Sequence, residues 1–295
     1  MTEDKKRAVG PVCPHHCRLK EGQYGRCRAR KNEKGTIICV NYGRITALAL
    51  DPVEKKPLRH FFPGSMILSA GSYGCNLSCP FCQNYQISMA GSEEKEAADY
   101  VTDEAAAGVP DFREMSPEEL AELAEDLRGR GNIGVAFTYN EPLVGYEFVR
   151  DTARLVRRRG MKNVLVTNGT GEIPVLEELL PCIDAMNIDL KGFTRDYYRK
   201  LGGDLDTVKA FIKRAAQVCH VELTTLIVPG ENDSLEEMER QAGWIAGVDP
   251  DIVLHVTRFF PRYRMADRKA TDVELVYRLR DAAGKYLKHV YTGNC

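Results

Sequence analysis

The sequence predicts an α/β fold: a partial (β/α)6 barrel of the TIM-like kind, preceded by a small cysteine-containing extension. Three observations predict it. From residue 66 onward, short apolar runs alternate with amphipathic stretches of helical length, which calls for parallel strands joined by right-handed helical crossovers. Six such runs are too few for a complete eightfold barrel. Residues 1–60 keep a different rhythm, punctuated by Cys and Gly, and read as a separate N-terminal unit ahead of a main domain over 61–295.

The elements follow in order. A stretch reading PVCPHHCRLKEGQYGRCRARKNEKG leads into TIICV, NYG and RITALAL. β-Branched runs flanking a turn that ends in Gly43 predict a β-hairpin. DPVEKKPLRHFFPG carries three prolines and reads as an extended linker. Strands are predicted over 66–71, 134–138, 163–167, 185–190, 221–228 and 252–259, with HVYTG at 289–293 as a candidate seventh. Helices are predicted near 116–129, 145–159, 172–180, 206–217, 234–246 and 272–286. Ser116-Pro117-Glu118-Glu119 gives the first an N-cap, a proline at the first helical position and acids in the first turn. Arg157, Arg158 and Arg159 close the second before Gly160, where cations suit the helix dipole.

Composition bounds the class. At 295 residues and 43% hydrophobic, the chain suits one large domain with a small appendage. No apolar run reaches the ~18 residues of a membrane span, and MTEDKKRAVG lacks the apolar stretch of a secretory signal, so a soluble cytoplasmic protein is expected. Ten cysteines in a reducing compartment point to metal more readily than to disulfides. The net charge of −1 hides an uneven distribution: residues 1–60 hold fourteen Lys/Arg against six Asp/Glu, whereas residues 92–119 hold ten acids against two bases. Two readings stand: solvated faces with a charged insertion, or a basic surface for an anionic partner such as nucleic acid or an acidic electron donor.

GSYGCNLSCPFCQNY carries the chemistry. Cys75, Cys79 and Cys82 are spaced C-x3-C-x2-C directly after the first barrel strand. Three thiolates from one short loop can hold three irons of a [4Fe–4S] cluster and leave the fourth without a protein ligand. A site short of one ligand is built for chemistry at the metal, as an open zinc position is. Three merely buried thiols, or a zinc site missing a partner, are the alternatives.

This loop resembles the signature of the radical S-adenosylmethionine (SAM) superfamily. The resemblance implies that SAM chelates the free iron, and that an electron from the cluster cleaves SAM to methionine and a 5′-deoxyadenosyl radical. It places Phe81 near the adenine. Tyr139-Asn140-Glu141-Pro142 stands where the superfamily often has Gly-Gly-Glu-Pro, which presents backbone to the SAM amino group. Thr167-Asn168-Gly169 and Asp189-Leu190-Lys191 resemble pyruvate formate-lyase activating enzymes. There Lys191 would pair with the SAM carboxylate and Asp189 would approach SAM or a monovalent cation. Val166 stands where those enzymes commonly have Asp, a departure at the cation site. The resemblance also puts His255 near the adenosine, and Arg258 near SAM or an anionic substrate. Taken alone, Asp189 and Lys191 read equally as a surface ion pair, Glu141 as a helix cap and His255 as a core histidine.

CPHHC, GQYGRCRAR, DPVEKKPLRHFFPG, YNEP and RFFPRYRM together resemble the radical SAM enzymes of the AmmeMemoRadiSam system. That resemblance implies AMMECR1-like and Memo-like proteins as partners, and an electron donor such as ferredoxin or flavodoxin. Relatives often have a further Cys at the place of Gly10. In this chain Cys13, Cys17 and Cys27, with His15 or His16, can bind zinc or a second iron–sulfur cluster, or the thiols can simply pack. Cys39 and Cys295 are candidates for the absent fourth ligand, and Cys182 and Cys219 for packing residues. Three functions follow, in order: a hydrogen-abstracting enzyme of the three-component system, an activase of a glycyl-radical enzyme, and a metal-containing nucleic-acid-binding scaffold without SAM turnover.

Overall fold

The computed structural model describes residues 7–90 and 108–295. The acidic insertion expected from the charge pattern falls mainly on residues 91–107 and lies outside the described residues.

Eight strands form one sheet: β1 (Ala47–Pro52), β2 (Met66–Gly71), β3 (Asn132–Phe137), β4 (Lys162–Thr167), β5 (Ala185–Asp189), β6 (His220–Ile227), β7 (Val253–Arg258) and β8 (Val290–Gly293). They are hydrogen-bonded in sequence order. From β2 to β8 every pairing is parallel, while β1 runs antiparallel along the outer edge of β2. The outer side carries α1 (Pro117–Asp126), α2 (Tyr146–Arg158), α3 (Ile173–Leu179), α4 (Leu205–Ala216), α5 (Leu235–Ala246) and α6 (Val273–Ala283). The result is the expected partial barrel, including the seventh parallel strand.

Local chemistry accounts for the helix ends. The Ser116 hydroxyl accepts from the Glu119 amide, and the Glu119 carboxylate accepts from the Ser116 amide at 2.7 Å, a reciprocal capping box. α2 buries Phe148, Val149, Thr152, Ala153 and Val156, one stripe at helical spacing, and its chain exits through Gly160 at φ 68°. These stripes meet the outward residues of the strands, among them Leu68, Phe137, Leu165, Ile188 and Leu254, in the main hydrophobic core.

Two expectations need correction. TIIC (Thr36–Cys39) pairs with Arg30–Glu33 and not with RITALAL. The turn is Lys34-Gly35, both at positive φ (53° and 82°), as a two-residue type I′ hairpin requires. RITALAL instead supplies β1, whose residues Ala47–Pro52 pair with Met66–Gly71 along their whole length. The expected division at residue 60 therefore cuts across a continuous sheet.

The proline-rich segment after β1 is no extended spacer. Val53 and Leu58 are fully buried and Phe61 nearly so, packed on Ile67, Val164 and Ala185 at the starting ends of the parallel strands. Burial of such side chains stabilises the fold by about 1.5–3 kcal/mol each. Backbone atoms of this segment are anchored inside the barrel: Asn187 Nδ2 donates to the Pro57 carbonyl at 2.8 Å. The Glu222 carboxylate accepts from the Arg59 amide at 2.8 Å and the His60 amide at 2.7 Å. It also pairs with His220 Nε2 at 3.0 Å and His255 Nε2 at 2.6 Å. Burial works against the charge on Glu222, but these four partners hold its carboxyl well below the usual range. The segment closes the lower end of the barrel.

Candidate functional site

Parallel barrels gather functional groups at the C-terminal ends of their strands. Here that end holds a cavity of about 290 Å³ lined by Cys75, Cys79 and Cys82. Phe81, Tyr139, Asn140, Glu141, Asn168, Asp189 and Lys191 line it too. His255 and Arg258, which the resemblance puts near SAM, are absent from this wall.

The cysteine loop leaves β2 through Gly71 and Gly74. A Cβ at Gly74 (φ 89°) would fall 2.3 Å from the Cys27 carbonyl oxygen, so only glycine allows the loop to lie against the N-terminal unit. His15 Nε2 reaches the Asn76 carbonyl at 2.8 Å and Arg26 donates to the Ser78 hydroxyl at 3.1 Å across the same contact. Asn76 is buried; its amide donates to the Thr170 carbonyl at 2.6 Å and accepts from Asn168 Nδ2 at 2.9 Å. Asn168 Nδ2 also approaches Cys75 Sγ at 3.6 Å, and the Leu77 amide points at the same sulfur from 3.4 Å. Burial raises all three thiols above their ordinary range; Cys79 goes to about 12 although Lys191 opposes the shift.

Tyr139 and Asn140, which replace the glycine pair, brace this loop with side chains. Asn140 accepts from the Ser72 amide at 3.0 Å and donates to the Tyr73 carbonyl at 3.1 Å. Tyr139 holds φ 73° and donates its hydroxyl to Asp51 at 2.8 Å. Asp51 also accepts from the buried Lys56 ammonium at 3.0 Å. Burial would raise the Asp51 carboxyl, but the hydrogen bonds from Lys56 and Tyr139 pull it down to about 2. Glu141 accepts from Thr167 Oγ1 at 2.7 Å, the Asn168 amide at 2.8 Å and the Leu143 amide at 3.0 Å. Burial lifts its carboxyl to about 7 against these three bonds. It caps the short helix Pro142–Gly145 and ties the end of β3 to the end of β4.

Across the cavity, Lys191 donates to Asp189 at 2.7 Å, with both side chains still open to the cavity. Burial disfavours the ammonium, yet Asp189 and the Cys79 thiol keep its pKa above the ordinary lysine value. The Lys191 amide donates to the Tyr198 hydroxyl at 3.0 Å and its carbonyl accepts from Asn232 at 2.7 Å, so the backbone of the pair is fixed.

His255 is placed differently. It faces the barrel interior one layer below Thr257, which does line the cavity, and its imidazole is engaged by Glu222. Arg258 turns to the Thr271 carbonyl at 2.7 Å. Sequence reasoning missed Asn76, Thr224, Leu226 and Thr257; the period-two alternation of β6 and β7 was the available signal for the last three.

Among the described residues, no three His, Cys, Asp or Glu side chains stand close enough to grip a single metal ion. The cavity beside the loop thiols is also far larger than one ion. Three thiols from one loop, a roomy cavity and no fourth cysteine on its wall fit a cluster with three protein ligands. Cys13, Cys17 and Cys27 border a second, much smaller cavity with Gly10 and His16. Cys39 and the exposed Cys295 are not on its wall. Cys182 is buried and packs in the main core, as expected, with Cys219 against it. No helix among the described residues is long and apolar enough to cross a membrane.

Comparison with known proteins agrees with this geometry. The Radical SAM superfamily signature matches residues 70–242. An uncharacterized protein of Methanocaldococcus jannaschii is 39% identical over 96% of this chain and 80% of its own length. The pyruvate formate-lyase-activating enzyme of Clostridium pasteurianum is 26% identical over 70% of this chain and 80% of its own. Among solved structures, a radical SAM methyltransferase from Sphaerobacter thermophilus superposes with a TM-score of 0.58 at 16% identity, over 79% of this chain and 67% of that one, a likeness of fold. Members of this superfamily are enzymes that use a [4Fe–4S] cluster and SAM. The chain belongs to the Radical SAM superfamily.

Proposed function

We propose that the cavity binds SAM beside a [4Fe–4S] cluster held by Cys75, Cys79 and Cys82, and that the enzyme abstracts hydrogen from a substrate bound at the same mouth. The observation that carries this reading is the convergence of three thiols from one loop on the cavity that also receives Asp189 and Lys191. When bound and reduced, the cluster supplies the electron that cleaves SAM to methionine and a 5′-deoxyadenosyl radical. The chain's own residues bind and orient. The Lys191 ammonium, balanced by Asp189 in the free protein, takes the SAM carboxylate as a charge-assisted partner. Phe81 offers an aromatic face to the adenine. Tyr139, Asn140, Glu141 and Asn168 keep the loop in register, so that the thiols stay aimed. Leu77, Met89 and Leu226 form the apolar wall that limits water near the reacting carbon. His255 acts beneath this layer, holding Glu222 and through it the floor of the barrel.

The finer reading places the enzyme in the AmmeMemoRadiSam system, with AMMECR1-like and Memo-like partners and an electron donor of the ferredoxin or flavodoxin type. The whole-chain motifs support it, and the excess of basic residues over 1–60 suits an acidic donor protein. A second reading, an activase of a glycyl-radical enzyme, is favoured by the similarity to the clostridial activating enzyme.

Anaerobic reconstitution with iron and sulfide, followed by dithionite and SAM, should yield 5′-deoxyadenosine. The Cys79→Ala variant should lose both the cluster absorbance and the product. No product from a verified reduced cluster sinks both enzyme readings and leaves the nucleic-acid scaffold. A glycyl-radical signal in a partner enzyme selects the activase.

A further inference from the structure

The loop that follows β7 runs from Phe259 to Thr271 and packs against the cysteine loop. Its base is pinned. The buried Thr271 hydroxyl donates to the Ile227 carbonyl at 2.6 Å and accepts from the Phe259 amide at 3.2 Å. The Thr271 amide returns a bond to the Phe259 carbonyl at 3.2 Å. From this base Phe259 and Met265 turn inward, buried with Leu77, Cys79 and Phe81, and Cys75 and Cys82 pack alongside. Tyr263 holds φ 48°, a backbone that bulky residues seldom adopt. There its ring stacks on Tyr85, just beyond Cys82, with centroids 4.6 Å apart.

The outward side of the same loop is basic. Arg262, Arg264, Arg268 and Lys269 are exposed, against a single acid in that stretch, Asp267. Among the described residues none of the four is paired with a carboxylate. Exposed lysines elsewhere are: Lys200 is held by Glu231, Lys285 by Glu239 and Lys288 by Asp251. None of the four basic side chains lines the SAM cavity, so they serve no ligand inside it. Next to them the cysteine loop shows an uncharged outer surface of Ser78, Gln83, Asn84 and Gln86. At its other end Arg26 donates to the Ser78 hydroxyl at 3.1 Å, so cations flank this surface on both sides.

We propose that Arg262, Arg264, Arg268 and Lys269, beside the outer surface of the cysteine loop, form the docking face for an acidic one-electron carrier protein. The proposal rests on the reading of Cys75, Cys79 and Cys82 as cluster ligands. Two observations meet here. Unpaired cations attract an acidic protein surface and orient it. Side chains of the same loop touch the thiols, so a carrier seated on it stands next to the electron acceptor. The uncharged patch of Ser78, Gln83, Asn84 and Gln86 lets the carrier close on the loop without burying an unpaired charge. The reduced carrier gives up one electron and the oxidised cluster takes it; no bond breaks and no proton moves.

The test removes charge and keeps the packing. In the reconstituted full chain Arg262→Gln, Arg268→Gln and Lys269→Gln are combined, with Arg264 left over the Tyr263 ring. A matched control carries Arg154→Gln, Arg157→Gln and Arg158→Gln, three exposed positions on α2, which runs toward the opposite end of the barrel. The probe is an acidic ferredoxin, its binding followed by biolayer interferometry and its electron transfer by stopped-flow absorbance. At about 50 mM salt the association rate constant should fall at least about tenfold in the loop variant and less than about threefold in the control. Salt at about 0.5 M should remove the difference. Reduction by ferredoxin should slow in step, while 5′-deoxyadenosine formed with dithionite stays within about twofold of wild type. Equal losses in both variants, or no ferredoxin binding by wild type, overturn the proposal. So does tighter binding of a single-stranded DNA oligonucleotide that the loop variant loses, which gives the face to nucleic acid. No 5′-deoxyadenosine from wild type with dithionite is the separate failure of the underlying reading, and it takes the proposal with it.

Discussion

Replacing Glu222 by Ala separates an architectural from a SAM-binding role for the buried pair it forms with His255. The carboxylate is fully buried and serves four donors: the Arg59 and His60 amides, His220 and His255. Removing one partner of a buried charged network costs about 3–5 kcal/mol. At about 2–4 °C per kcal/mol for a chain of this size, the midpoint of thermal unfolding followed by circular dichroism should fall by about 6–20 °C at neutral pH. Glu222→Gln, which keeps one acceptor oxygen, should fall by about half as much. The pH dependence has a definite sign. A carboxyl held below its unfolded value of about 4.3 contributes stability above that value and loses it as pH drops toward the folded value. The gap between wild type and Glu222→Ala therefore narrows in acid, below about pH 4. SAM affinity, measured on the folded variant at low temperature, should change less than about threefold, a difference under about 1 kcal/mol. A shift of only a few degrees together with a tenfold loss of SAM affinity would refute this placement and return His255 to the adenosine.

Three further outcomes follow from the site. Lys191→Met removes a charge-assisted partner worth about 1.5–3 kcal/mol, so the SAM dissociation constant should rise about 10–150-fold at unchanged iron content; loss of iron instead would make Lys191 a support of the cluster. Asp51→Asn leaves the buried Lys56 without its counter-ion. It should cost about 1–3 kcal/mol in urea unfolding at neutral pH, with the difference vanishing between about pH 4 and about pH 2 as the wild-type carboxyl takes up its proton; a pH-independent difference would assign the effect to packing. Gly74→Ala forces a Cβ against the Cys27 carbonyl at a positive φ. Reconstituted iron per chain should at least halve, with a destabilisation of about 1–3 kcal/mol; full iron loading would show that the loop tolerates separation from the N-terminal unit.

The barrel was legible because its signals are local and periodic. Apolar runs of strand length between capped amphipathic helices fixed seven of the eight strands to within about two residues. Cys75, Cys79 and Cys82 were legible because three ligands come from one loop. Asp189 and Lys191 could be placed because they end a strand. What escaped depends on partners distant in sequence. Gly43 and Gly35 are equivalent turn signals, and only the pairing of residues 47–52 with 66–71 selects Lys34-Gly35 as the hairpin turn. The resemblance put His255 near the adenosine, but its depth in the barrel depends on the register of β7 against β6, which no local pattern carries. Tyr139 carries a left-handed backbone that sequence assigns to glycine, held by Asp51 on a strand antiparallel to the barrel.

The plug formed by Val53, Leu58 and Phe61 closes the barrel at the starting ends of its strands, beneath the cavity. With the floor sealed, two ligands that share this cup cannot enter from opposite ends. Were SAM to bind deeper and the substrate above it, SAM would arrive first and depart last. A substrate seated over SAM would then act as its lid, keeping the radical from bulk solvent until product leaves.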